Sequence, residues 1–160
     1  MIYFIAAALL VVLDQVVKHL VASGIPLGGS APFLPYIMDL TYVKNTGCAF
    51  SLLEEHTWML TLASGVLSVV LAWAVGKKFF RHPLGRGALT LVLAGAVGNL
   101  IDRAMHGYVI DMFRTLFIDF AVFNVADICV VVGGIGAAVY YLFLFDRLEG
   151  CAHECTEADG

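Results

Sequence analysis

Four aspartates, Asp14, Asp102, Asp111 and Asp127, stand in or beside stretches of this chain that are otherwise apolar. Two carboxylates held close together cannot both ionise cheaply. They share a proton, so one serves as base while the other serves as acid. Such a pair activates water against a carbonyl without a metal or a covalent intermediate. The polar company of these acids has helical spacing. Asn99, Asp102 and Arg103 stand at i, i+3 and i+4, Asn124 and Asp127 at i and i+3, and Asp14 and Lys18 at i and i+4. Each group is therefore expected on one helix face. Lipid penalises a polar stripe, so the stripes are expected to meet in a bundle interior or a water-filled cleft. Taken singly, Asp14–Lys18 reads as a neutralising ion pair and Asp102–Arg103 as a helix-end cap. Taken together, four acids and two asparagines at one depth read as a site.

Other chemistries fit the residues less well. A Ser or Cys nucleophile needs a positioned base, usually His. His82 stands in a basic loop and His153 in the tail, His19 has no obvious partner, and no Ser or Cys is placed with His56 or His106. There is no HExxH motif, P-loop or GxGxxG. Cys151, His153 and Cys155 cluster soft ligands in the tail, but their spacing matches no zinc pattern. Neither a metal nor a cofactor is expected. The cysteines (Cys48, Cys129, Cys151, Cys155) form no disulfide framework, and Cys129 reads as a small core residue.

The elements that must position these groups follow from hydropathy. The 160 residues are 61% hydrophobic and 14% charged, with a mean hydropathy of +0.90. Soluble domains run about 45–50% apolar and about 25% charged, so disorder, a coiled coil and a nucleic-acid-binding domain are poor readings. The net charge of −4 says little about partners. A helix needs about 20 apolar residues to cross a bilayer core. Four stretches qualify: Ile2–Ala22, Thr57–Val75, Gly87–Ala104 and Ala121–Phe145. The first lacks a basic leader and a clear cleavage site and reads as a retained anchor. Ala94 with Gly98, and Gly133 with Ala137, have the spacing that lets helix backbones approach in lipid.

Orientation follows from charge. Lys77, Lys78, Arg81 and Arg86 are four of the nine basic residues, and the positive-inside rule makes their loop cytoplasmic. Both termini then face the cytoplasm, while Ser23–His56 and Met105–Phe120 face outward. Asp14, Asn99, Asp102, Arg103, Asp111, Asn124 and Asp127 all fall in one outer layer. The second span carries no Asp, Glu, Lys or Arg. Glycines and prolines break the first half of Ser23–His56, and Ile37–Phe50 partly alternates in β-formers, which predicts a short strand or hairpin on the membrane surface. The expected fold is a single integral membrane domain over residues 1–160: all-α, four transmembrane helices, a small extracytoplasmic β-like segment, and an acidic cytoplasmic tail over 146–160.

Over nearly its whole length the chain resembles the bacterial lipoprotein signal peptidases (signal peptidase II). Asp14-Gln15 with Lys18 resembles that family's DQxxK element, and Asn45–Phe50 its NxGxAF element. Gly98–Arg103 is similar to GNxxDR, Val109–Asp111 to VxDF, and Phe123–Asp127 to FNxAD. Cys48 and Met112 depart from the usual Ala and Phe. The resemblance implies a metal-independent intramembrane aspartyl endopeptidase whose catalytic pair falls on Asp111 and Asp127. Spacing alone leaves that choice open among Asp14, Asp102, Asp111 and Asp127. The resemblance also implies that Asp14, Asn45, Asn99, Asp102, Arg103 and Asn124 orient the pair and hold substrate, with Lys18 and Gly47 in the same motifs. The implied substrate is a diacylglyceryl-modified prolipoprotein, cut just before the lipidated Cys. The implied place is the bacterial inner membrane, where the enzyme works as a monomer amid membrane lipid and binds no nucleic acid. The outer segment Ser23–His56 is expected to close over the site. Two rivals are weaker. A presenilin-like protease would need a GxGD motif, which is missing. A proton-coupled carrier would need polar groups through the whole membrane thickness, and the inner halves of these spans are apolar.

Overall fold

The computed structural model describes residues 1–47 and 57–150. Cys48, the rest of the Asn45–Phe50 motif, the remainder of Ser23–His56, and the Cys151–His153–Cys155 cluster lie outside the described residues. Four helices are long and apolar enough to cross a membrane. They are α1 (Ile2–Gly24), α2 (Thr57–Gly76), α3 (Pro83–His106) and α4 (Val125–Val139), which winds on as wider π-helical turns over Tyr140–Leu144 and Asp146–Gly150. Between them lie β1 (Ser30–Leu34), β2 (Met38–Asn45) and β3 (Val109–Thr115). This is a helical membrane protein with a small antiparallel sheet in the order β1-β2-β3.

Helix ends are set by local chemistry that hydropathy does not see. Helix α3 begins at Pro83, ahead of its apolar run, because His82 Nδ1 accepts the Leu84 N–H at 3.3 Å and Pro83 is pre-shaped for a first turn. Helix α4 begins only at Val125. Asn124 accepts the Asp127 N–H, and the Asp127 carboxylate accepts the Asn124 N–H, a reciprocal capping box. Ala121–Phe123 therefore stays outside the helix, and Phe123 bridges to Phe113 of β3.

Helix α3 is the central helix and touches α1, α2 and α4. On α1 the buried residues are Ala7, Asp14, Lys18 and Val21, a single stripe, while Ile5, Leu9, Val12, Val16 and Leu20 are exposed. In lipid this is the expected arrangement, because apolar side chains gain nothing by leaving acyl chains. Close packing and polar contacts hold such helices together instead. Gly98 shows the close approach: a Cβ there would lie 2.8 Å from Asp14 Oδ2 and 3.1 Å from the Ala126 Cβ. Gly133 likewise sits against the Ala88 carbonyl of α3, and Ala94 and Cys129 are buried core residues.

The strand expected in Ile37–Phe50 is present as β2, and its partner β3 arises from the short link after α3, which carried no strand signal. Register matters here. Leu40 pairs with Phe113, but Val43 pairs with Asp111 and Asn45 with Val109. Thr41 and Tyr42 thus oppose Met112 alone, a β-bulge. Side chains alternate across a strand, so one extra residue reverses which face each later residue presents. The bulge places Asn45 diagonally beside Asp111; in an unbroken register Lys44 would take that place. The other face of β3 carries Ile110 and Met112, buried against Val21 of α1, so the Met112 departure is absorbed in packing.

Candidate active site

Polar side chains from α1, α3, β2, β3 and α4 converge at the end of the bundle nearest the sheet. Lys18 is fully buried at the centre of one cluster. Its ammonium donates to Asp14 Oδ2 at 2.8 Å, Asp102 Oδ2 at 2.9 Å and Asn99 Oδ1 at 3.1 Å. All three ammonium donors are used, which a buried charge requires. Asp14 Oδ1 accepts the Ala126 N–H of α4 at 2.8 Å, and Asp102 Oδ2 accepts the Ile110 N–H of β3 at 3.1 Å. This cluster ties α1, α3, α4 and β3 together. Gln15 belongs to it as well, donating to Asp102 Oδ1 at 2.9 Å and to Asp14 and the Gly98 carbonyl at 3.2 Å. Sequence reasoning quoted Gln15 in a motif but gave it no role. An uncharged amide beside a buried acid is the signal that could have found it.

Asn99 passes the network outward. Its Oδ1 accepts from Lys18 and from Asn124 Nδ2, and its own Nδ2 donates to Asp127 Oδ1 at 2.8 Å. Asn124 joins the two remaining acids. Its Nδ2 donates to Asp111 Oδ1 at 2.7 Å, while its backbone N–H donates to Asp127 Oδ2 at 3.1 Å. Asn45 Nδ2 donates to Asp111 Oδ2 at 2.9 Å. Each carboxylate of the outer pair is thus held by two donors. Burial pushes the Asp111 carboxyl up to about 6; the Asn45 and Asn124 amides and the Lys18 charge pull it down, and the Asp127 charge pushes it further up.

Asp111 and Asp127 line a cleft of about 690 Å³ together with Asn45, Asn99 and Arg103. That volume suits a small-molecule-sized or extended apolar ligand. Its walls are apolar and come from α2 (Leu60, Ala63, Leu67), α4 (Ile128, Val131) and the non-helical Phe120–Phe123. Asp14 and Asp102 do not reach it. The helix α2, with no charged residue, thus supplies much of the wall. Arg103 is a correction to the expectation of one polar face on α3. Asp102 turns to Lys18, whereas Arg103, one residue and about 100° further round, turns to the cleft. It donates to Ser64 Oγ at 3.5 Å and to the Gly47 carbonyl at 3.4 Å, and it bonds no carboxylate among the described residues. Gly47 is held in turn by its N–H to Asn45 Oδ1 at 3.0 Å. Among the described residues no three His, Cys, Asp or Glu side chains are grouped to hold a metal.

The fold and the site together define a class: a polytopic membrane protein with a hydrogen-bonded carboxylate pair at the head of an apolar cleft. The sequence profile of the signal peptidase (SPase) II family matches residues 6–143. The lipoprotein signal peptidase of Enterococcus faecalis is 42% identical over 141 residues, 88% of each chain. That of Streptococcus pyogenes serotype M5 is 40% identical over 82% of this chain and 86% of its own. A solved bacterial membrane enzyme, determined by the in meso method at 2.3 Å resolution, superposes with a TM-score of 0.81 at 28% identity, covering 91% of this chain and 89% of the other. The chain belongs to the signal peptidase II family and is a protease.

Proposed function

We propose that this protein is an aspartyl endopeptidase that removes signal peptides from diacylglyceryl-modified prolipoproteins, cutting just before the lipidated Cys. The observation that carries the mechanism is the bridging of Asp111 and Asp127 by Asn124 at the polar head of the apolar cleft. Asp111, pushed up to about 6, is the member that keeps the shared proton. Asp127, in the first turn of α4, takes a proton from the attacking water. Asp111 gives its proton to the scissile carbonyl oxygen as the tetrahedral diol forms, and the amine then leaves with a returned proton. Asn45, Asn99 and Asn124 hold the pair, and the Asp14–Lys18–Asp102 cluster holds them.

The same reading places substrate. The apolar h-region and the diacylglyceryl chains lie in the cleft against α2 and α4, and Arg103 and Gly47 face the peptide at its polar end. The basic loop after α2 stays in the cytoplasm with both termini, so the acid pair sits at the extracytoplasmic surface of the inner membrane, where the cut site of a signal peptide lies. The proposed unit of action is the monomer. The described part of Ser23–His56 supports its role as a cover: β2 pairs with the strand of Asp111, and Gly47 meets Arg103.

The test is cleavage of a diacylglyceryl prolipoprotein by the purified wild type, Asp111→Asn and Asp127→Asn, with a chelator present. The wild type is expected to cut, and both folded variants are expected to lose about 10³-fold or more, the scale of acid–base catalysis. A variant that keeps near wild-type rate removes its residue from the pair. Wild-type protein that cuts nothing but carries protons across vesicles would make the network a relay.

A further inference from the structure

Two loops lie side by side at one end of the sheet. The turn joining β1 to β2 carries Leu34, Tyr36 and Ile37; the connection leaving β3 carries Leu116, Phe117 and Ile118. The Leu116 N–H donates to the Ile37 carbonyl at 2.9 Å, and Met38 pairs with Thr115. All six of these apolar side chains are exposed. No charged residue falls in 33–37 or 116–118. One step behind them, Arg114 and Asp39 pair across the strands at 3.0 Å, a polar rim to an apolar tip.

The turn itself is unusual. Ile37 N–H closes on the Leu34 carbonyl at 3.0 Å with Pro35 next in line, and Tyr36 then takes a φ of +63°. This third position of a Pro-led turn suits glycine, and a left-handed conformation at an aromatic residue is an outlier. The chain nevertheless keeps a tyrosine there, and its side chain is 92% exposed. Its ring contributes little to the fold, so an external surface is the remaining use for it. An apolar body with a polar hydroxyl tip suits the headgroup level of a bilayer. Beyond the patch the chain passes the exposed Asp119, a second polar point on its rim, and then Phe120–Phe123, which lines the cleft with the exposed Ile128 and Val131 of α4.

We propose that these two loops are an interfacial anchor that dips into the leaflet on the sheet side, with Tyr36 at the headgroup boundary. Because β3 belongs to the same sheet, the anchor sets the depth at which Asp111 meets a membrane-borne substrate.

The full chain is reconstituted into phosphatidylethanolamine–phosphatidylglycerol vesicles with or without brominated acyl chains. Trp58→Phe and Trp73→Phe remove the two native indoles. Tyr36→Trp then reports from the turn and Lys44→Trp from the charged, exposed part of β2. Brominated chains are expected to quench the turn indole at least threefold while aqueous iodide barely reaches it, with the reverse at position 44. The quenching should persist when protein is diluted tenfold in lipid. Equal iodide quenching at both positions overturns the anchor, as does tail quenching that disappears on dilution, which would make the patch a contact between copies. Tyr36→Gly relieves the backbone conformation, so a role in folding alone leaves its thermal stability unchanged or higher. The anchor expects at least a fivefold loss of cleavage in vesicles despite that stability, restored by Tyr36→Trp. Unchanged cleavage overturns the claim about depth.

Discussion

Lys18 commits its ammonium to two aspartates and an asparagine inside the bundle. Removing it leaves two acids buried without their cation. Lys18→Met is expected to destabilise the protein by about 3–5 kcal/mol, read as a fall in thermal unfolding temperature in detergent. Adding Asp14→Asn and Asp102→Asn in the same chain should recover part of the loss, since the unpaired charge goes with them. Asp111 carries a pH prediction of its own. Its carboxyl lies at about 6 in the folded protein, above the ordinary 3.8, so the folded state binds its proton more tightly than the unfolded chain does. Its contribution to stability is fully present below pH 4 and is lost as pH rises through about 6, at most about 3 kcal/mol in all. In the proposed mechanism the acid member must hold its proton, so kcat/KM should fall on the alkaline side near 6, as an apparent value belonging to the pair. Asn45 donates to the charged form. Asn45→Ala should therefore move that limb to higher pH, and a limb that stays put removes Asp111 as the titrating acid.

At the scale of elements, the start of α4 does two jobs with one residue. Asn124 caps the helix and also donates to Asp111 and Asn99. Substitutions can separate these jobs. Asn124→Ala should lose the cap, worth about 1 kcal/mol, whereas serine caps nearly as well as asparagine. Asn124→Ser is thus expected to regain most of the unfolding temperature and little of the cleavage rate, because the shorter hydroxyl has one proton and cannot donate to both Asp111 and Asn99 as the amide does. If the Ser variant regains the cleavage rate along with the unfolding temperature, Asn124 acts only as a cap. The β2 bulge is the other element-scale device, since it brings Asn45 rather than Lys44 beside Asp111.

Taken as a whole, the molecule places an apolar cleft between α2 and α4 with its polar end at the outer acid pair. Ala63 is exposed on the wall of that cleft. Ala63→Phe should therefore leave thermal stability unchanged while narrowing the space that the proposed function gives to acyl chains or h-region. The expected result is a KM raised about tenfold, the order of a lost apolar fit, with kcat nearly kept. A kcat loss at unchanged KM would place substrate elsewhere.

Much of this was legible in the residues themselves. Four apolar runs predict four helices because hydropathy is a property of local composition, and alternating runs place Asp14, Asn99, Asp102, Asn124 and Asp127 at one end. Helical spacing also showed that Asp14 and Lys18 would pair. Other features needed contacts between distant segments. Strand β3 is short and buried on both sides, so it carries no alternation to read. The bulge that aims Asn45 exists only in the pairing of β2 with β3. Spacing put Asp102 and Arg103 together, and packing parted them, one toward the α1 ammonium and the other toward the cleft. Among four aspartates of similar depth, the sequence by itself determined the layer. Only the tertiary structure decided which two are neutralised by Lys18 and which two open together onto the cleft, because that depends on which helix faces meet.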